Sequence, residues 1–177
     1  EVFTGYFRSG PKAAPQNLYT RSSTMRNSVD GGKAPPAQFE YRAKKDKIAS
    51  TVPTARTIRL KFLKGQGVAV RYEWDAAIGG WRRWQNGSPH RDSAGVQVAP
   101  ENVIVQIVPY IDAGMTDKFN EDLYEAQMVG TGEALVFTAG HVYAATWTKS
   151  TLRSVTTYTD ENGEHIKLTK GRTWVAL

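Results

Sequence analysis

From residue 57 onward the sequence alternates apolar and polar residues with a period of two, in short runs cut by turn residues. No other feature narrows the fold as much. Ile58, Leu60 and Phe62 enclose Arg59 and Lys61, and Val68, Val70, Tyr72 and Trp74 alternate with Ala69, Arg71 and Glu73. Successive side chains of a strand point to opposite faces, so this spacing builds a sheet with one face toward a core. A helix would need a repeat near 3.6, and no long amphipathic helix of that kind is found after residue 40. Lys64-Gly65-Gln66-Gly67, 76–80 and Asn86-Gly87 are turns, and 81–85 is a short strand.

The rest of the chain keeps this texture. Phe39 and Tyr41 alternate with polar neighbours as a strand does. Residues 103–111 form a nearly continuous apolar run, which predicts a strand buried on both faces. Residues 112–123 are polar and acidic and are expected as a loop tip. Further strands are predicted at 124–129, 134–138, 142–147, 155–159, 165–168 and 173–176. Asp160-Glu161-Asn162-Gly163 is a hairpin turn, and Gly130-Thr131-Gly132 is a turn or bulge. The fold class is therefore mainly β, an antiparallel barrel or sandwich-like domain over residues 38–177. Residues 1–37 are different: a Gly-, Pro- and Ala-rich start, a short helix over 18–28 capped by Asn17, and a linker over 30–37. Their few apolar residues cannot close a core alone, so this stretch is expected to be an α-containing remnant of a further N-terminal domain plus linker.

Composition removes several function classes. At 177 residues the chain can bury a core without staples, and with no Cys it has no disulfide framework, no Cys nucleophile and no thiolate metal site. No apolar run approaches the roughly 20 residues that cross a bilayer. The formal charge of +6 is uneven. Residues 1–60 hold 11 Lys and Arg against 4 Asp and Glu, a net +7; residues 61–177 hold 12 against 13, a net −1. The densest basic run is Arg42, Lys44, Lys45 and Lys47. It reads as a solvated linker or as a contact for an anionic polymer. No zinc-finger spacing or RNA-binding signature accompanies it, so nucleic acid is not expected as a partner. The chain begins at Glu1 rather than Met, which is expected of a processed form or a fragment, with any export signal upstream.

An ordered series of short motifs runs through the chain: Tyr72-Glu73-Trp74-Asp75, Trp81-Arg82-Arg83, Asn86-Gly87-Ser88-Pro89-His90-Arg91-Asp92, Glu101-Asn102-Val103-Ile104-Val105, Gly130-Thr131-Gly132-Glu133-Ala134, Thr146-Trp147-Thr148-Lys149 and Lys170-Gly171-Arg172-Thr173-Trp174-Val175. In order and spacing the series resembles the C-terminal domain of the YerB-like family of bacterial lipoproteins. Phe7-Arg8 and Lys12-Ala13-Ala14-Pro15-Gln16-Asn17-Leu18-Tyr19-Thr20 resemble the end of that family's N-terminal domain, with Gln16 where the family string carries a His. The resemblance implies an exported protein of the bacterial cell envelope. Contact with the membrane would come only through a lipid anchor upstream of this chain. The resemblance implies no particular reaction.

Two clusters carry what chemistry the sequence offers. His90 and Asp92 lie two apart, so in an extended segment they face the same way, and a carboxylate beside an imidazole serves a general base or a metal ligand. In the other reading Gly87 and Pro89 bend the chain and Asp92 accepts backbone N–H groups, which makes the segment a structured turn. Ser88 has no strand-to-helix elbow around it. Neither His141 nor His165 has a second His nearby in sequence, and neither a metal nor a cofactor is expected. The second cluster is Trp81-Arg82-Arg83-Trp84 with Asn86. Exposed rings beside cations suit stacking on sugar rings or on a partner's surface. The expected function is a non-catalytic binding module for a cell-wall glycan or polymer or for another envelope protein. The alternative is an envelope hydrolase or transferase using His90 and Asp92.

Overall fold

In the computed structural model, residues 5–14, 17–28, 36–62, 67–117 and 119–177 are described. The chain divides into two compact units, Glu1–Pro36 and Ala37–Leu177.

In the first unit, β1 (Tyr6–Arg8) pairs antiparallel with β2 (Leu18–Thr20), and α1 (Ser22–Asn27) follows. The Phe7 and Tyr19 rings meet at 6.2 Å. The helix is shorter than the 18–28 expected. Its first residues are drawn into pairing with β1, and Asn17, the expected cap, accepts a bond from Arg8 Nη1 at 2.6 Å. The helix starts instead after Arg21, without a side-chain cap. Most of the expected linker, and the Lys64–Gln66 part of one predicted turn, lie outside the described residues.

The second unit is mostly β and sandwich-like. A four-stranded antiparallel sheet runs β3-β4-β5-β6, made of β3 (Thr57–Lys61), β4 (Ala69–Asp75), β5 (Gly80–Gln85) and β6 (Ser88–Pro89). A five-stranded sheet runs β12-β11-β10-β7-β13, made of β7 (Asn102–Gln106), β10 (Gly130–Thr138), β11 (His141–Lys149), β12 (Thr157–Thr159) and β13 (Thr173–Ala176). All pairings in it are antiparallel except β13 on β7. The strand order in each sheet is linear, so neither closes into a barrel. The apolar face predicted by alternation is the inner one. Ile58, Val70, Tyr72 and Trp81 of the first sheet pack with Val103 and Phe137 of the second. On the far face of the five-stranded sheet, Ile104 and Val136 are covered by Ile166, Leu168 and Phe39.

Several expectations change. The 103–111 run is not one strand. β7 ends at Gln106, and Pro109, which has no N–H for a ladder, precedes β8 (Tyr110–Thr116). The acidic 112–123 stretch is not a loop tip; it forms most of a hairpin between β8 and β9 (Asp122–Ala126). Residues around Phe39–Tyr41 and 165–168 form isolated bridges rather than strands, with Tyr41 against Leu168 and Thr159 against His165. Arg42 is no linker cation. It donates to Thr138 Oγ1 at 3.0 Å and to Thr169 Oγ1, in a polar network closed by buried Asn102.

Gly130-Thr131-Gly132 opens β10 instead of turning the chain, and Gly132 stands opposite Trp147. A Cβ there would lie 2.7 Å from Trp147 Nε1 and 3.1 Å from Ile107 O, the two atoms that bond each other at 2.8 Å. Gly132→Ala should therefore push the indole off its acceptor and cost about 1–3 kcal/mol, read as a drop in thermal midpoint. A midpoint equal to that of the unmodified chain would contradict this packing.

Candidate binding face and the His90 loop

β4 and β5 separate the WRRW cluster by face. Trp81 and Arg83 point inward, while Arg82 and Trp84 are only partly buried. Trp81 is fully buried, its ring 5.2 Å from Trp74 and 5.6 Å from Phe137. It is a core side chain and cannot stack on a ligand, which corrects the expectation that placed it in the binding set.

Arg83, only 6% exposed, is equally removed from the surface. Its Nε donates to Tyr72 Oη at 3.2 Å, and its Nη1 donates to Gln85 Oε1 at 2.8 Å. The guanidinium lies 4.5 Å from the centre of the Trp174 ring. Neutral acceptors and an aromatic face hold the cation, with no carboxylate among these contacts. Asn86 is spent on the turn. It takes a positive φ of 48°, as the first residue of a two-residue Asn-Gly hairpin loop does, and its Oδ1 accepts from Ala69 N at 3.0 Å.

What remains at the surface is a cross-strand row. Arg59 stands opposite Arg71, Arg71 opposite Trp84, and Trp84 opposite Pro89. The Arg71 guanidinium lies over the Trp84 ring at 4.8 Å. Lys61 sits one pleat along from Arg59 on the same face. A shallow groove of about 340 Å³ runs here, lined by Arg59, Lys61, Arg71, Trp84 and Gly87. Glu73 Oε1 lies 3.2 Å from Arg71 Nε, but neither Arg71 Nε nor Trp84 Nε1 has a hydrogen-bond partner. Like charges directly opposite across a ladder are unfavourable unless something neutralises them. Arg82 is balanced: its Nε donates to Asp75 Oδ2 at 2.7 Å, and that bond holds the Asp75 carboxyl below its usual range. Arg59, Lys61 and Arg71 were not in the sequence-derived binding set. Their signal was present in the period-two runs, but joining them to Trp84 requires the register.

Residues 58–175 match a family described as a protein of unknown function (DUF3048), C-terminal domain. The chain belongs to the DUF3048 C-terminal domain family. Its fold is similar to the crystal structure of the YerB protein from Bacillus subtilis, with a TM-score of 0.72 at 16% identity over 97% of this chain. The chain spans 56% of that protein's length. No protein of curated function matches the sequence.

In this DUF3048 domain the His90–Asp92 pair is not assembled. His90 Nδ1 faces Arg83 Nη1 at 2.5 Å, and its ring meets Trp174 edge-on at 6.0 Å. Asp92 turns into its own loop, where Oδ1 accepts from Ala94 N and Val96 N, each at 2.9 Å. This is the turn-fixing arrangement weighed against catalysis. Among the described residues no group of three His, Asp or Glu gathers as a metal site would. Burial, then the Arg83 charge, lowers the His90 pKa, opposite to the rise that pairing with Asp92 would give.

The folded state disfavours the imidazolium, so the unfolded chain binds more protons. The His90 contribution is complete above the unfolded value of about 6.5 and is lost as pH falls through and below it. The unmodified chain should lose thermal stability as pH falls below about 6.5, and His90→Gln should lose less. Identical pH profiles for the two would contradict the Arg83 contact.

Proposed function

We propose that this chain is a non-catalytic binding module of an exported protein of the bacterial envelope, and that it holds an anionic cell-wall glycan or polymer on the outer face of β3–β5. The Arg59–Arg71–Trp84 row carries this reading. Three cations and a partly exposed indole line one groove. Ring and cation together suit a ligand with sugar faces and acidic groups. Export and an upstream lipid anchor rest on the resemblance of the sequence to YerB-like lipoproteins. A hydrolase or transferase reading has less support, because Arg83 and a backbone loop occupy His90 and Asp92. Contact with another envelope protein is the second reading. It is favoured by the β8–β9 hairpin, on which Tyr110, Ile111, Met115, Leu123 and Tyr124 are exposed.

Co-sedimentation with purified cell walls tests the proposal. The chain should pellet with walls that retain their anionic polymer and stay in solution with walls stripped of it. Equal pelleting with both would remove the anionic ligand, and no pelleting with either would remove the wall as partner.

A further inference from the structure

Two surfaces of the second unit complement each other. The β8–β9 hairpin belongs to neither large sheet, and each of its strands pairs only with the other. A two-stranded ribbon is marginal in water unless something packs on it. Residues paired across a ladder share a face, as do residues two apart in a strand. Tyr110 pairs with Ala126 and Asp112 with Tyr124, so Tyr110, Asp112, Asp122 and Tyr124 lie on one side of the hairpin. Tyr110 is 53% exposed and Tyr124 64%, so both rings offer surface to a partner.

This side is also acidic. Residues 110–126 hold Asp112, Asp117, Glu121, Asp122 and Glu125 against Lys118, a net −4. Among the described residues Glu121, Asp122 and Glu125 form no ion pair. Two hairpins laid face to face would set like charges together, so they do not suit each other. The surface that suits them is cationic and has an aromatic centre. The same chain presents one on the outer face of β3–β5, where Arg59, Lys61 and Arg71 line the groove with Trp84. Arg59 and Lys61 form no ion pair there. Carboxylates on guanidinium groups make strong, charge-assisted bonds, and Tyr, Trp and Arg are the side chains enriched where proteins meet.

We infer that this chain associates with itself head to tail, the Tyr–Asp side of the hairpin of one copy seated in the Arg59–Arg71–Trp84 groove of the next. The two surfaces differ, so the contact is heterologous. Each pair keeps one free groove and one free hairpin, and assembly continues into a ring or a filament. The inference uses the groove but not the polymer. It stands if the cell wall does not bind, and a bound polyanion competes with the hairpin for the same cations.

Sedimentation velocity of the purified full chain, with no polymer present, tests it. At low salt the average mass should rise above that of one chain as concentration increases, and high salt should return it to one chain. Arg59→Ser/Arg71→Ser removes the groove charges and Asp122→Ser/Tyr124→Ser alters the hairpin, both on solvent faces, and melts verify that each variant is folded. Each variant alone should associate at least about tenfold more weakly. Mixed one to one, the intact hairpin of the first meets the intact groove of the second, so the mixture should form dimers and nothing larger. Three results would overturn the inference: an unmodified chain that stays single at about 1 mM in low salt, the weak end of specific contacts, undiminished association in either folded variant, or a mixture that forms no dimer while the unmodified chain assembles. The first of these needs no variant, so the inference stays testable if a substitution disturbs the fold.

Discussion

Trp81→Ala is expected to cost about 3–5 kcal/mol, enough to lower the thermal midpoint of a domain this size by roughly 10 °C or more. The ring is fully buried between Trp74 and Phe137, at the point where the two sheets meet. Removing it takes away a large apolar area and leaves a cavity whose walls belong to two different sheets, which cannot collapse together without breaking strand register. Trp81→Phe should cost much less. It keeps most of the ring and deletes Nε1, a buried donor that has no partner. Thermal and denaturant melts of both variants check this. If Trp81→Ala kept its stability and lost only ligand binding, Trp81 would belong to a surface site and the assignment of faces would be wrong.

Local alternation was enough to find β3, β4 and β5, and the Asn86-Gly87 loop followed from the need for two positive φ angles, observed at 48° and 82°. β13 matched its predicted 173–176 span, its start marked by the polar and Gly residues Lys170-Gly171-Arg172. What local pattern cannot carry is pairing at a distance. Trp174 reaches Arg83 only because β13 lies parallel to β7, a neighbour about seventy residues away in the chain. The β8–β9 hairpin escaped notice because both its faces are largely exposed, leaving no inner face to produce alternation. Pro109 was the available signal for the break after β7, and the apolar run around it masked that signal. In the binding cluster, Trp81 and Trp84 lie three apart and so must face opposite ways in a strand. The sequence separates them but does not say which one is inside. Arg83 is the larger surprise. A buried cation there depends on Tyr72, Gln85, His90 and Trp174, which come from four separate positions along the chain.

The outer face of β3–β5 is where the account of function stands or falls. Arg71 holds its guanidinium over Trp84, and Arg59 sits opposite it, so a polyanion laid along the row would meet both charges and the ring together. Central Trp and Arg side chains commonly carry 2 kcal/mol or more of a contact each, about thirtyfold in affinity. All three residues are on a solvent face, so replacing them should leave the fold intact. The direct measurement is the affinity of the purified chain for soluble anionic cell-wall polymer, for the unmodified protein, Trp84→Ala and Arg59→Ser/Arg71→Ser, at low and high salt. Binding should weaken at least about tenfold in each variant, and salt should weaken the unmodified protein more than the double variant. Unchanged affinity in both variants, with melts confirming folded protein, would contradict a binding role for this face.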